Sequence, residues 1–418
     1  MKNKNLKIIG SLLLLGMALI SYARSNTHPK NLKDAAVAND AGAVKRLIAQ
    51  GADPDEKNQY GDTALMIGAA WGSISAVTAL LDNGADVNFK GGDGITALIG
   101  ASFAGSEAMV ELLLDRGAEI DAREERGQSA LTAAVIKNRK KIVKILLESG
   151  ADIHSRDNNG ETALHHAAFF GHTVIADLLI GGGARVDEKD DGGFTPLMGA
   201  ALTSHPKIIK LLLKKGADVN IQDDNGQTAL VRAAEKGPVE SFKLLLNANP
   251  NIKINQGCNR TLLGRAAGEG HKEIVDILLS MGADVNIKSK SGSTCLIYTA
   301  SVTDEYVEIA KTLIAKGADV HHADNDGWPA LMWAAERNFS RIAQVLIDSG
   351  ARVDQTNNEG WTPLMRAAKA GHQETLRILL QNGADIHLRN KEGKSALEYA
   401  KDGDILRMQQ QAAMEANY

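Results

Sequence analysis

The chain repeats a short motif at a nearly constant interval, and this periodicity limits the possible folds more than any other feature. A Gly-Ala-Asp triplet, or a variant of it, occurs at eleven places. The triplets begin at Gly51, Gly84, Gly117, Gly150, Gly183, Gly216, Asn249, Gly282, Gly317, Gly350 and Gly383. Every interval is 33 residues except one of 35 residues. Such a period is typical of a solenoid, whose units are stable only when they stack on one another.

A second motif lies between successive triplets and predicts two helices in each unit. One copy reads Thr162-Ala163-Leu164-His165-His166-Ala167-Ala168, followed by Gly171-His172 and an apolar run that ends at Leu178-Leu179. Thr162 has the position and chemistry of a helix N-cap. Gly183 follows the second helix, where a left-handed C-cap favours glycine. Asn159-Gly160 predicts a tight hairpin turn that leads into the unit.

Together the two motifs resemble the ankyrin repeat, and the resemblance covers residues 31 to 407. It implies an all-α repeat solenoid, a curved stack of about 11–12 ankyrin repeats, each made of a helix-turn-helix and a β-hairpin finger. It also implies that the fingers and the first helices line a concave surface that holds a partner protein. We predict an exported bacterial member of this family.

The N-terminus predicts export. Lys2, Lys4 and Lys7 precede a short apolar run from Ile8 to Ile20, and small residues follow up to Ala23. The run is too short to span a bilayer comfortably, so we predict a signal peptide that is cleaved after Ala23; an uncleaved N-terminal anchor is the alternative. Cleavage would change the formal net charge from −4 to −7, because three of the 47 basic residues would be lost.

The sequence divides into six predicted segments. They are a signal peptide (1–23), a short linker (24–30), an N-terminal capping repeat (31–59), ten ankyrin repeats (60–391), a C-terminal capping half-repeat (392–407) and a frayed tail (408–418). The capping repeats are expected to carry polar outer faces that stop the stack from polymerising. The two extra residues of the long interval fall near Thr303 to Tyr306, in the turn between paired helices. Asn249-Pro250 replaces Gly-Ala at one junction, so the finger there is expected to deviate.

No motif predicts an enzyme, a metal site or a cofactor. The segments Asp187–Gly192 and His322–Gly327 contain part of a calcium-loop pattern but lack its final glutamate, so they are interpreted as fingers. The repeats leave no insertion large enough to carry a catalytic cleft. Cys258 is assigned to a fingertip and Cys295 to the start of a first helix, too far apart to pair, so two free thiols are expected.

Two sets of residues that the repeat does not require are candidates for partner binding. The first set, which we call the apolar stripe, follows the paired small residues of the first helices in the N-terminal half. It consists of Trp71, Phe103, Ile136, Phe169, Phe170 and Leu202. Contiguous apolar side chains of this kind mark contact surfaces.

The second set, which we call the arginine–aromatic stripe, lies one position before the paired small residues of the later repeats or beside their fingers. It consists of Arg232, Arg265, Tyr298, Trp328, Trp333, Trp361 and Arg366, and Tyr399 continues it. Alternating arginines and rings could hold an acidic or aromatic peptide. The alternative is that the rings are partly buried against neighbouring helices.

The charge balance and the resemblance together predict a non-enzymatic scaffold. With 47 basic and 51 acidic residues, the chain has no electrostatic reason to bind nucleic acid or, after signal cleavage, an anionic membrane. We predict a periplasmic monomer without cofactors that binds or inhibits a partner protein through its concave face. A secreted effector or adhesin that binds host proteins is the alternative.

Overall fold

The computed structural model describes residues 29–248, 250, 262–400 and 407. The predicted signal peptide and tail, most of the linker, and the finger that follows Pro250 lie outside the described residues. The described part contains 23 helices and no named strand. This confirms the predicted all-helical repeat solenoid.

The helices occur in pairs, so that odd numbers denote the first helix of a repeat and even numbers the second. They are α1 Leu32–Val37, α2 Ala41–Ala49, α3 Ala64–Trp71, α4 Ile74–Asp82, α5 Ala97–Ala104, α6 Glu107–Asp115, α7 Ala130–Ile136, α8 Lys140–Glu148, α9 Ala163–Phe169, α10 Thr173–Gly181, α11 Pro196–Leu202, α12 Pro206–Lys214, α13 Ala229–Lys236, α14 Val239–Asn247, α15 Leu262–Gly268, α16 Lys272–Ser280, α17 Cys295–Ser301, α18 Val307–Ala315, α19 Ala330–Arg337, α20 Ser340–Asp348, α21 Pro363–Ala370, α22 Gln373–Gln381 and α23 Ala396–Tyr399.

Side-chain caps start the first helices. The hydroxyl of Thr63 accepts a hydrogen bond from the backbone N–H of Met66, and Thr96, Thr195, Thr294 and Thr362 cap their helices in the same way. These bonds satisfy a backbone donor that the helix itself leaves unpaired. Pro329 takes the cap position of α19 and makes no side-chain cap bond.

The described residues divide into two compact units, one within residues 1–167 and 172–185 and the other within residues 168–171 and 186–418. In the first unit, α1, α3, α5 and α7 pack in order, and α2, α4, α6, α8 and α10 pack beside them. In the second unit, the odd helices from α11 to α23 and the even helices from α12 to α22 form the same two layers. The buried side chains between the layers are mostly leucine, isoleucine and alanine, including Leu65, Leu98 and Leu131.

A polar clamp also joins successive repeats. The Nε2–H group of a histidine before the second helix donates to a carbonyl at the end of the preceding repeat's first helix. The pairs are His172 with Ile136, His205 with Phe169, His271 with Glu235 and His372 with Glu336, at 3.1–3.2 Å. Because these carbonyls lack a partner within their own helix, the clamp satisfies them while fixing the spacing of the repeats.

The fingers differ from the predicted β-hairpins. In the described residues they are tight turns, and only Arg156 with Thr162 and Ala323 with Pro329 form antiparallel bridges, each an isolated one. The arms are too short to form a ladder. Consecutive fingers are instead joined through the backbone, as when the N–H of Asn158 donates to the carbonyl of Arg126 at 2.9 Å.

The structure also tests the predicted place of the two-residue insertion and the predicted free thiols. The turn between α17 and α18 holds five residues, whereas the corresponding turns hold two or three, so the insertion lies where it was predicted. The expected free thiol at Cys295 is wrong, because Cys295 is disulfide-bonded. The other cysteine, Cys258, lies outside the described residues.

We predict that Gly127→Ala destabilises the stack more than Gly150→Ala. Both glycines have a positive φ, of 80° and 92°, so alanine costs about 1–2 kcal/mol of backbone strain at either position. A Cβ at Gly127 would also stand 2.8 Å from the backbone nitrogen of Asn158, whereas Gly150 has open space around it. This steric conflict should add about 1 kcal/mol or more. The urea unfolding midpoint, followed by circular dichroism, measures the difference; equal midpoints for the two variants would contradict close contact between the fingers.

Candidate protein-binding surface

The candidate residues lie on the first helices and their fingers. Adjacent first helices pack side by side within each unit, so residues 33 positions apart form rows. A Cβ at Gly100 would stand 3.9 Å from the Cβ of Ala70, which shows how closely α3 and α5 approach each other. Phe103 on α5 and Ile136 on α7 are 33 positions apart and lie in one such row.

In the first unit, the apolar stripe is accessible. The side chain of Trp71, at the end of α3, is 39% exposed, and Phe103 and Ile136 are half-buried in the adjacent row. The ammonium group of Lys137 lies 4.2 Å from the ring centroid of Phe103. Tyr60, at a fingertip, is 66% exposed and was missed in the sequence, because a single aromatic residue in a polar turn gives no periodic signal.

In the second unit, the remaining members of the apolar stripe are half-buried. Phe169 and Phe170 pack edge to face with their ring centroids 5.3 Å apart, and Leu202 ends α11. Each retains some exposed apolar surface.

A recurring hydrogen bond engages Arg232, Trp333 and Tyr399 of the arginine–aromatic stripe. It joins an Asp or Asn at the base of the finger to the side chain nine residues later on the first helix. Asp223 pairs in this way with Arg232, and Asp324 accepts from the indole nitrogen of Trp333 at 3.2 Å. Asn390 belongs to the same series, although there its amide donates to the hydroxyl of Tyr399 at 2.8 Å. These bonds fasten the fingers at Asp223, Asp324 and Asn390 to their own helices.

Two predicted contact residues are inaccessible as a result of such packing. Arg232 is only 3% exposed, because its guanidinium group is enclosed by Asp223, Glu235 and the ring of Phe194. Trp361 is 4% exposed, because Tyr399 covers it with ring centroids 4.6 Å apart. The expectation that these two residues face a partner is corrected accordingly.

Trp328, Trp333 and Arg366 form a stack with Trp361. The guanidinium group of Arg366 lies between the rings of Trp328, at 4.5 Å, and Trp361, at 4.9 Å, and it donates to Glu336 at 2.9 Å. Trp328 and Trp333 stack with centroids 4.6 Å apart.

Two members lie outside this stack. Arg265 is half-buried and lies 3.9 Å from Glu235, and Tyr298 packs against Gly268, where a Cβ would stand 2.2 Å from the ring.

A profile described as "Ankyrin repeats (3 copies)" matches the chain in seven overlapping stretches. They are residues 32–124, 72–157, 131–223, 175–257, 230–324, 296–390 and 331–407. The chain belongs to the ankyrin repeat family. Among solved structures, the human ASB11 ankyrin repeat domain is similar, with 31% identity and a TM-score of 0.48 over 53% of this chain and 98% of that one. A search of curated proteins finds no match.

One ankyrin repeat brings together a possible metal-ligand group. Among the described residues, the potential ligand atoms of Asp157, Glu161 and His166 lie within 4.8 Å of one another. The carboxylate of Asp157 and the Nε2 atom of His166 are 3.1 Å apart and buried. In other repeats the same two positions hold Asp223 with Arg232 and Asp324 with Trp333. Arginine and tryptophan side chains are not the metal ligands that histidine is. The finger-to-helix bond therefore accounts for the group, and we assign no metal to it.

The contact between Asp157 and His166 also changes the pKa of Asp157. Burial acts to raise the pKa of Asp157, but the hydrogen bond and the electrostatic attraction of His166, with the backbone N–H groups of Asn159 and Glu161, outweigh it and lower the pKa. Asp55 behaves in the opposite way. Burial raises the pKa of Asp55, and the charges of Asp86 and Asp53 raise it further against a hydrogen bond from the N–H of Asp86.

We predict that Asp157→Asn and Asp55→Asn change the stability of the first unit in opposite directions at pH 7. A carboxyl group with a lowered folded-state pKa stabilises the fold above the unfolded-state pKa, about 3.9, and this stabilisation is lost as the pH falls through the folded-state value. A raised folded-state pKa means that the ionised group destabilises the fold.

Asp157→Asn should therefore unfold at lower urea than the unmodified protein at pH 7, and the difference should shrink below about pH 4. Asp55→Asn should unfold at higher urea than the unmodified protein at pH 7. Urea midpoints measured across this pH range test both; a deficit for Asp157→Asn that is constant with pH would contradict the finger-to-helix bond as its source.

Proposed function

We propose that this protein is a non-enzymatic scaffold that captures a partner protein on its first helices and fingers. Ankyrin repeats are protein–protein interaction modules, so membership of the family supports a protein partner. The observation that carries this proposal is the exposure of Trp71 and the partial exposure of Phe103 near the ends of the neighbouring helices α3 and α5. Tryptophan and other large apolar side chains dominate binding energy when a partner excludes water from them.

The two stripes differ in how far their side chains are held by contacts within the chain, and this difference supports the proposal. Arg232, Trp361 and Arg366 are occupied by contacts with their own chain, so their main role is to hold the later repeats together. The apolar stripe retains exposed surface in both units. We therefore assign partner capture chiefly to the apolar stripe.

We further propose that the scaffold works in the periplasm. The basic and apolar N-terminus supports export. The disulfide at Cys295 supports an oxidising compartment, since disulfides persist there and are rare in the cytosol. None of the described helices is both long enough and apolar enough to cross a bilayer.

We predict that the chain beginning at Arg24 is recovered from the periplasmic fraction and cross-links there to a partner protein. Trp71→Ser with Phe103→Ser in the first unit, or Phe170→Ser with Leu202→Ser in the second, should reduce the cross-linked yield about tenfold. Val174→Ser is the matched control, because Val174 is 54% exposed but lies on a second helix.

The cell fraction that contains the protein tests the proposed location, and the cross-linked yield tests the proposed binding surface. Recovery mainly from the culture medium would favour the secreted effector or adhesin. A yield that neither pair of substitutions lowers would remove the first helices as the binding surface.

A further inference from the structure

The second helix α12 carries positive charges only. Lys207, Lys210 and Lys214 are exposed and, at spacings of four and three residues, lie on one face, which we call the lysine face. The opposite side of the helix is firmly packed, since Ile208 and Leu212 are fully buried. The helix contains no Asp or Glu. Within the described residues, no carboxylate forms an ion pair with any of the three ammonium groups.

The lysine face is not a requirement of the repeat. The second helices from α4 to α22 all have nine residues, and the lysine face uses positions two, five and nine. Every helix of this set except α12 has at least one acid at these positions. The acids are Asp82, Glu111, Asp115, Glu148, Asp177, Glu240, Glu273, Asp276, Glu308, Asp348 and Glu374.

Several of these acids neutralise a cation of their own helix. Ion pairs join Lys144 with Glu148, Lys272 with Asp276, Lys311 with Glu308 and Arg377 with Glu374, at 2.8–3.5 Å. In α12 the corresponding spacings of three and four residues bring only like charges together. Like charges at these spacings destabilise a helix.

The first turn of α12 has a second unfavourable charge. Lys207 lies at the helix N-terminus, where the helix dipole is positive, and no acid lies in that turn. In α14, α16, α18 and α22 the first turn contains a glutamate instead, which the dipole favours. A negatively charged ligand on the lysine face would therefore relieve both the repulsion between the lysines and the unfavourable contact with the dipole.

We propose that the lysine face docks an acidic segment of a protein, whose carboxylates pair with the three ammonium groups. Charge complementarity selects this occupant. The three lysines extend over about 10 Å of the helix at 1.5 Å per residue, a length that one short segment covers. This surface is separate from the first helices to which capture is assigned, and it goes beyond that proposed function.

The neighbouring helices favour a narrow ligand over an extended anionic surface. On α14, which packs beside α12, Lys243 is already paired with Glu273 of α16 at 2.7 Å. Glu240 of α14 and Asp276 of α16 add negative charge next to the lysine face. The positive surface is therefore one helix wide. A membrane or a nucleic acid would also meet these carboxylates, whereas a single acidic segment along α12 would not.

The probe is a phage library that displays random peptides of about 12 residues, selected on the immobilised chain from Arg24 onward. Peptides retained by the unmodified protein but not by Lys210→Glu should be enriched about threefold or more in Asp and Glu, relative to the unselected library. A synthetic peptide of the enriched sequence should bind Lys210→Glu about tenfold more weakly than the unmodified protein. Its affinity for the unmodified protein should fall about tenfold between about 50 and 500 mM NaCl, because salt screens exposed charges.

Lys311→Glu is the matched control. Lys311 occupies the fifth position of α18, as Lys210 does in α12, but it is already paired with Glu308. The control makes the same change in net charge and should bind the peptide within about twofold of the unmodified protein. The urea unfolding midpoint of Lys210→Glu should be higher than that of the unmodified protein, because the new carboxylate would lie beside Lys207 and Lys214.

Four results would overturn the inference. They are acidic residues at or below library frequency, peptide binding that Lys210→Glu leaves unchanged or that Lys311→Glu weakens equally, and a lower urea midpoint for Lys210→Glu. The fourth is tighter binding through Lys210 to vesicles with about 30% phosphatidylserine or to a DNA duplex of about 20 base pairs than to the peptide. The cross-linking experiment on Trp71 and Phe103 tests the other surface, so either proposal can fail while the other stands.

Discussion

Each two-helix repeat of this chain is too small to bury its own apolar side chains, and the other features of the structure depend on this constraint. Leu65, Leu98 and Leu131 are buried because neighbouring helices cover them within the first unit. Stacking also provides hydrogen-bond donors for carbonyls that the ends of the first helices leave unpaired. Each of these carbonyls accepts a bond from a histidine N–H of the following repeat. Apolar burial and these polar clamps act at the same junctions, so stability is distributed along the stack rather than concentrated in one core.

The finger-to-helix bond shows how one backbone position serves different purposes. An Asp or Asn at the finger base meets His166, Arg232, Trp333 or Tyr399 in different repeats, and each helix side chain supplies a polar group. In α5 and α7 the same position holds Gly100 and Ala133, which have no polar side chain.

Periodicity predicts which residues are equivalent, but it does not predict how deeply they are buried. The helix pairs, the threonine caps and the location of the insertion followed from spacing and from the chemistry of single residues. The burial of Arg232 and Trp361 did not, because it depends on side chains packed from the finger and from the next repeat. The disulfide at Cys295 was missed because both cysteines were given regular repeat positions, although Asn249-Pro250 departs from the repeat sequence nearby. The fingers were predicted as hairpins from Asn-Gly turns, which fix a turn but not the length of its arms.

The central claim is that a partner contacts the first helices and fingers rather than the second helices. Hydrogen–deuterium exchange of the chain, free and bound to its cross-linked partner, tests this directly. Binding should slow exchange in residues 58–73 and 91–106, which hold two fingers and the helices α3 and α5, and should leave α4 and α6 unchanged. Slower exchange confined to α4, α6 and α8, with no change in those fingers, would contradict the account.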